Sequence, residues 1–178
     1  MNKFYEMAAS RESCRNFDNT KPVEKEKLMK IIQTASLAPS ACNSQPWHLT
    51  VINNKDYLPK VAETTQDLGM NKFVDNCGAF IVINEEEATL SKTVASKRAP
   101  HEYVPIDIGI LTSHICFAAL EQGLSTCILG WFNEERLRKV LDISPEKKIC
   151  LLIAVGYAKD NNLRQKKRKE ISEIASFI

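Results

Sequence analysis

The chain of 178 residues has no uninterrupted apolar run near the ~18 residues that a membrane-spanning helix needs. Its first residues, MNKFYEMAASRESCR, are mixed in charge and lack the apolar stretch of a secretory leader, so the expected location is cytoplasmic. Histidine is scarce: there are three, with no second histidine or carboxylate at ligand spacing, which argues against a metal site. The six cysteines, Cys14, Cys42, Cys77, Cys116, Cys127 and Cys150, form no CxxC pair and no zinc-finger spacing. In a reducing compartment they read as free thiols, mostly small core hydrophobes. Repeats, low-complexity tracts and linkers are missing too, so residues 1–178 read as a single domain. With 44% apolar and 26% charged residues, the chain as a whole is not disordered.

A net charge of only +2 excludes a polyanion binder in bulk, yet the charge is uneven. Residues 164–169, RQKKRK, carry five positive charges, and the rest of the chain is therefore net −3. Periodicity places helices over 2–9 and 24–37, the latter with Leu28, Ile31, Ile32 and Ala35 on one face. A further helix over 55–68 is expected to break near Pro59. Strands are expected at 48–53, 78–83, 125–132 and 148–157, the second and last as buried apolar runs. Residues 84–104 read as irregular apart from a helical turn. The stretch 106–123 is apolar on most faces, hence a central helix packed on a sheet, with Gly123 at its C-cap. Asn133 is placed to cap a helix over 133–143. One central sheet with helices interspersed gives an α+β or three-layer αβα fold.

Three segments are not explained as core. Arg11 and Arg15 flank Ser13, and two guanidinium forks with a hydroxyl suit a phosphate. Two exposed basic residues are an equal reading of that segment alone. In Ala38-Pro39-Ser40-Ala41-Cys42-Asn43-Ser44-Gln45-Pro46-Trp47, the amides of Asn43 and Gln45 match the alternating edge of a flavin pyrimidine, or simply cap a turn. The basic run near the C-terminus is either a solvated charge cluster or part of a site. It is short and lacks interleaved aromatics, so nucleic acid is not the expected partner.

Taken together, RxSxRxF, then APSxxNxQPW, the helix around IDIGI, the segment GLSTCILGWF and the terminal KKRK resemble the FMN-dependent nitroreductase family from Arg11 to Lys169. The resemblance implies a three-layer αβα fold with a mixed or antiparallel central sheet. It implies a homodimer with shared FMN sites and a C-terminal tail, including Ile171, Ile174 and Ile178, that docks on the partner. Arg11, Ser13 and Arg15 would serve the phosphate and ribityl side. Pro39, Ser40, Ala41, Asn43 and Gln45 would contact the flavin held mainly by the other subunit. Leu129, Gly130 and Trp131 would bring the backbone, with a donor, near N5, and Lys166 and Arg168 would complete the phosphate site.

The implied activity is NAD(P)H oxidation with electron transfer by a ping-pong route to an electron-poor small molecule such as a nitroaromatic or quinone. Flavin storage or sensing without turnover is the alternative. FMN carries the chemistry, and no catalytic side chain is expected. Two departures stand out. Asn76-Cys77-Gly78 precedes the second core strand where relatives often have Ala-Pro, and only residues 84–105 separate that strand from the central helix. The acceptor pocket is therefore expected to be built differently or to be more open. His101 and Tyr103 could line it or sit on a surface loop, and Lys72 could reach the N1/O2 edge.

Overall fold

A computed structural model describes residues 3–160 and 162–178, the side chains of Pro100 and His101 apart. Helix α1 (Lys3–Ser10) and helix α2 (Lys25–Ala35) precede strand β1 (Trp47–Ile52), helix α3 (Leu58–Thr64) and strand β2 (Ala79–Glu85). Then come α4 (Lys92–Ala95), α5 (Pro100–Glu121), β3 (Ser125–Leu129), α6 (Glu134–Leu141), β4 (Ile149–Gly156) and α7 (Ile171–Ile174). The four strands run in the order β1-β2-β4-β3, each antiparallel to its neighbours. Of the mixed and antiparallel sheets expected, the antiparallel one is found.

Strand alternation divides the core into two layers. Ala79, Ile81 and Ile83 of β2, with Ile153 and Val155 of β4, meet α2 and α5 on one face. Phe80 and Val82, with Leu152 and Ala154, meet α3 and α6 on the other. Both faces of the two central strands are thus covered, which is why they read as continuous apolar runs. Full burial of side chains such as Phe80, Ile81 and Leu152 stabilises by about 1.5–3 kcal/mol each.

Three local expectations are corrected. Pro59 opens α3 instead of interrupting it, because a first-turn proline lacks an N–H that would have no helical partner anyway. The stretch 84–104 holds α4 and the first turn of α5, so Tyr103 lies on a helix and not on a surface loop. The central helix starts at Pro100 and runs through Pro105; its start is tied by the Glu102 carboxylate, which accepts the Ala99 N–H at 3.0 Å. This longer helix also changes the reading of membrane potential. Glu102–Glu121 is long and apolar enough to span a bilayer, with mean hydropathy 1.5, but half of it is buried in the protein. Packed on α2 and the sheet, it is a core helix.

Candidate functional site

After α1 the chain runs extended beside the edge strand β3. The Cys14 N–H donates to the Thr126 carbonyl at 2.9 Å, and the Lys159 N–H donates to Asn16 at 2.9 Å. Buried Cys14 and Phe17 hold this stretch down, leaving Arg11 and Ser13 half-buried. The segment after β4 folds back over it: Arg164 Nη2 donates to the Ser13 carbonyl at 2.7 Å, and its backbone N–H to Glu12 Oε2 at 3.2 Å. Lys166 Nζ lies 3.5 Å from the Ala8 carbonyl oxygen. Together they form a groove of about 350 Å³ lined by Arg11, Glu12, Ser13, Arg164, Gln165, Lys166, Lys167 and Arg168. Five cations face one carboxylate there. Lys166 is held below the ordinary lysine range by partial loss of water, then by repulsion from Arg11 and Arg168, with Glu12 opposing. The repulsion among these cations is a part of that shift which a bound anion would relieve.

The structure therefore joins Arg11 and Ser13 to Lys166 and Arg168, more than 150 residues later in the sequence. Arg15 is set apart from them. It is exposed, its guanidinium carbon stands 5.9 Å from the centre of the Phe73 ring, and it lines a separate cavity of about 180 Å³ that shares Glu12 and Arg164 with the groove. Arg164 itself was not singled out, although it opens the basic run.

Phe73 leads to the end of β3. Leu129 is buried, while Gly130 has open space where a side chain would stand and Trp131 is half-exposed. The Trp131 indole N–H donates to the Asp67 carbonyl at 3.2 Å, and Asn71 Nδ2 lies 3.3 Å from the Trp131 carbonyl oxygen. Asn71 Nδ2 also donates to Thr65 at 3.1 Å. Leu68 and Asn71 both hold left-handed backbone, at φ of 59° and 51°. For leucine this is a strained state, of the kind that collects at binding sites. Exposed Lys72 follows directly, so the segment beside Gly130 ends in an amide and an ammonium group.

The loop 39–45 stands elsewhere. The Ala41 N–H donates to both carboxylate oxygens of Asp107 on α5, at 3.1 and 3.2 Å. The Ser40 hydroxyl accepts the Gln45 N–H at 2.9 Å, and Ser44 Oγ accepts the Thr89 N–H at 2.7 Å. Pro39, Asn43 and Gln45 are exposed, and the Gln45 amide donates to the Asn43 carbonyl at 3.2 Å. Among the described residues no hydrogen bond or ion pair links this loop to the groove or to Leu129–Trp131. One chain thus brings two of the three segments together and leaves the third apart.

Other candidates have structural duties. His114 Nδ1 is 2.9 Å from the Ile110 carbonyl one helical turn earlier, and His48 is exposed on β1. His101 lies outside the described side chains, and Tyr103 sits under Arg98 at 5.7 Å. All six cysteines are free. Burial pushes the thiols of Cys14, Cys116, Cys127 and Cys150 up, and that of Cys77 to about 12, so these are poor nucleophiles. Cys42 is exposed in the loop.

A family model described as Nitroreductase family matches residues 8–157. The oxygen-insensitive NADPH nitroreductase of Helicobacter acinonychis is 27% identical over 199 residues, covering 94% of this chain and 93% of that protein. The solved FMN-dependent nitroreductase of Clostridium difficile superposes with a TM-score of 0.71 at 25% identity, over 94% of this chain and 92% of that one. A protein of Exiguobacterium sibiricum, solved in complex with FMN, gives a TM-score of 0.85 over 100% and 98% of the two chains. At 21% identity that last likeness establishes the fold alone.

Proposed function

The chain belongs to the nitroreductase family, and on that premise we propose that it binds FMN at the interface of a homodimer and uses it to oxidise NAD(P)H. When bound, FMN would accept a hydride from the nicotinamide and pass electrons to an electron-poor acceptor, a nitroaromatic or quinone in class. The chain's own residues bind, orient and tune.

The observation that carries this reading is the groove in which Arg11, Ser13, Lys166 and Arg168 converge. A phosphomonoester brings about two negative charges near neutral pH, which several cations and a hydroxyl can match. Lys166 is lowered first by lost hydration and then by repulsion from Arg11 and Arg168, and a bound anion would offset that repulsion. Arg15 stands by Phe73, and Asn71, two residues before Phe73, lies 3.3 Å from the Trp131 carbonyl oxygen, next to the open backbone at Gly130 and followed by Lys72. Leu129, Gly130 and Trp131 would face the isoalloxazine, with Lys72 near its polar edge. Pro39, Ser40, Ala41, Asn43 and Gln45 belong to the loop that one chain leaves apart, and a second protomer would bring that loop to the flavin. Ile171, Ile174, Phe177 and Ile178 stay exposed on a single chain and would dock on the partner.

The test is an absorption spectrum of the purified protein, then the same sample under NADH or NADPH without oxygen. A yellow protein bleached by either supports the reading. A colourless protein that cannot be reconstituted with FMN refutes it, and a flavin that stays oxidised with both nicotinamides marks a storage or sensing protein instead.

A further inference from the structure

Helix α5 is apolar on most faces, yet it carries a carboxylate with only 4% of Asp107 exposed. Its one hydrogen-bond donor among the described residues is the Ala41 N–H, shared between both carboxylate oxygens, and no ion pair is found there. A buried carboxylate with a single neutral donor is costly to keep. The loop it holds is costly as well: Cys42, Asn43 and Gln45, none of them glycine, sit in left-handed backbone at φ of 53°, 53° and 49°. Such a run persists only where its surroundings over-determine it. Asp107 fixes the entrance of the run at Ala41, and Ser40 Oγ closes it at Gln45. On the far side, Ser44 is tied to Thr89.

We infer that Asp107 is a positioning residue that holds loop 39–45 rigid for the flavin site of the other protomer, so that α5 of one subunit governs flavin retention in its partner. This rests on the reading above that the loop serves the partner's flavin. It predicts an effect that crosses the subunit boundary, which a merely stabilising contact would not produce. Aspartate suits the role because both its oxygens lie within hydrogen-bond reach of the Ala41 N–H.

The experiment titrates FMN into the apo dimer of the full chain, by quenching of flavin fluorescence. Asp107→Ala is expected to weaken binding about 10- to 100-fold, the range for a lost charged hydrogen bond. Asp107→Asn keeps an acceptor oxygen and stays within about threefold of the parent. Asp107→Ser, too short to reach Ala41, carries the same expectation as alanine should the alanine variant not fold. The deciding sample is a heterodimer of one D107A protomer and one R168A protomer. One of its sites then combines an intact groove with an intact loop, so one FMN binds with parental affinity and the other far more weakly. A heterodimer with no parental-affinity site, or a D107A or D107S homodimer that binds FMN as the parent does, overturns the inference. A parent protein that takes up no FMN overturns the reading beneath it, and the inference falls with it.

Discussion

Replacing Arg11 by alanine should uncouple the protein from the phosphate of FMN while leaving the flavin ring's contacts in place. Arg11 lines the groove with Lys166 and Arg168, is half-buried, and its side chain makes no hydrogen bond or ion pair among the described residues. Its removal therefore breaks nothing in the fold and eases the crowding on Lys166. Two unit charges ~4 Å apart interact by about 4 kcal/mol at an effective dielectric of ~20, and by about 1 kcal/mol in water. The groove is open to solvent on one side, so a net loss of about 1.5–2.5 kcal/mol is expected, within the range for charge-assisted hydrogen bonds. That corresponds to an FMN Kd roughly 10 to 70 times higher. The assay is fluorescence quenching at one fixed ionic strength, since salt screens these charges, run in parallel with FMN and with riboflavin, which has no phosphate. Arg11→Ala should raise the FMN Kd and leave the riboflavin Kd unchanged. Arg15→Ala, whose guanidinium lies by Phe73 outside the groove, should change both by the same factor. If Arg11→Ala leaves the ratio of the two Kd values untouched, the phosphate assignment of the groove is wrong.

The pH dependence of FMN affinity follows from Lys166. Its pKa is depressed in the free protein, and a bound phosphate would favour the charged form; affinity should thus fall as pH rises, starting below the usual lysine value of 10.5. The slope should flatten in Lys166→Met, and equal slopes in the two proteins would count against that role. Gly156→Ala would place a methyl 2.9 Å from Phe17 Cδ1 and 3.2 Å from the Gly78 nitrogen. Overpacking of that kind costs about 1–3 kcal/mol, so thermal unfolding should show a Tm lower by roughly 3–10 °C, and an unchanged Tm would mean that Phe17 moves freely. Deleting residues 170–178 removes Ile171, Ile174, Phe177 and Ile178, all exposed on one chain. Analytical ultracentrifugation should show dimer dissociation at least ~100-fold easier, given about 1.5–3 kcal/mol per fully buried side chain; a truncated chain that stays dimeric with parental affinity would remove the docking role of the tail.

Much of this protein was settled by local pattern. The apolar runs around Phe80–Ile83 and Leu151–Val155 could only be buried strands, because alternation supplies both faces with core residues. Asn133 capped its helix through Oδ1 to the Arg136 N–H, and Gly123 took the left-handed position after α5, since capping and backbone chemistry act within a few residues. Pro59 misled because its effect depends on where the helix begins, which packing decides. The residue types of the site, two arginines around a serine, an amide-bearing loop and a basic tail, were legible as chemistry. Their grouping was not. Only the return of the chain after β4 puts Lys166, Arg168 and Arg164 beside Arg11 and Ser13, while Arg15 stands apart, by Phe73. Asp107 was not singled out from sequence, because its meaning required Ala41, 66 residues earlier, to be brought within 3.1 Å. Sequence fixes which groups are available and which short stretches fold in which way; the long-range packing of the sheet and α5 decides which of those groups share a site.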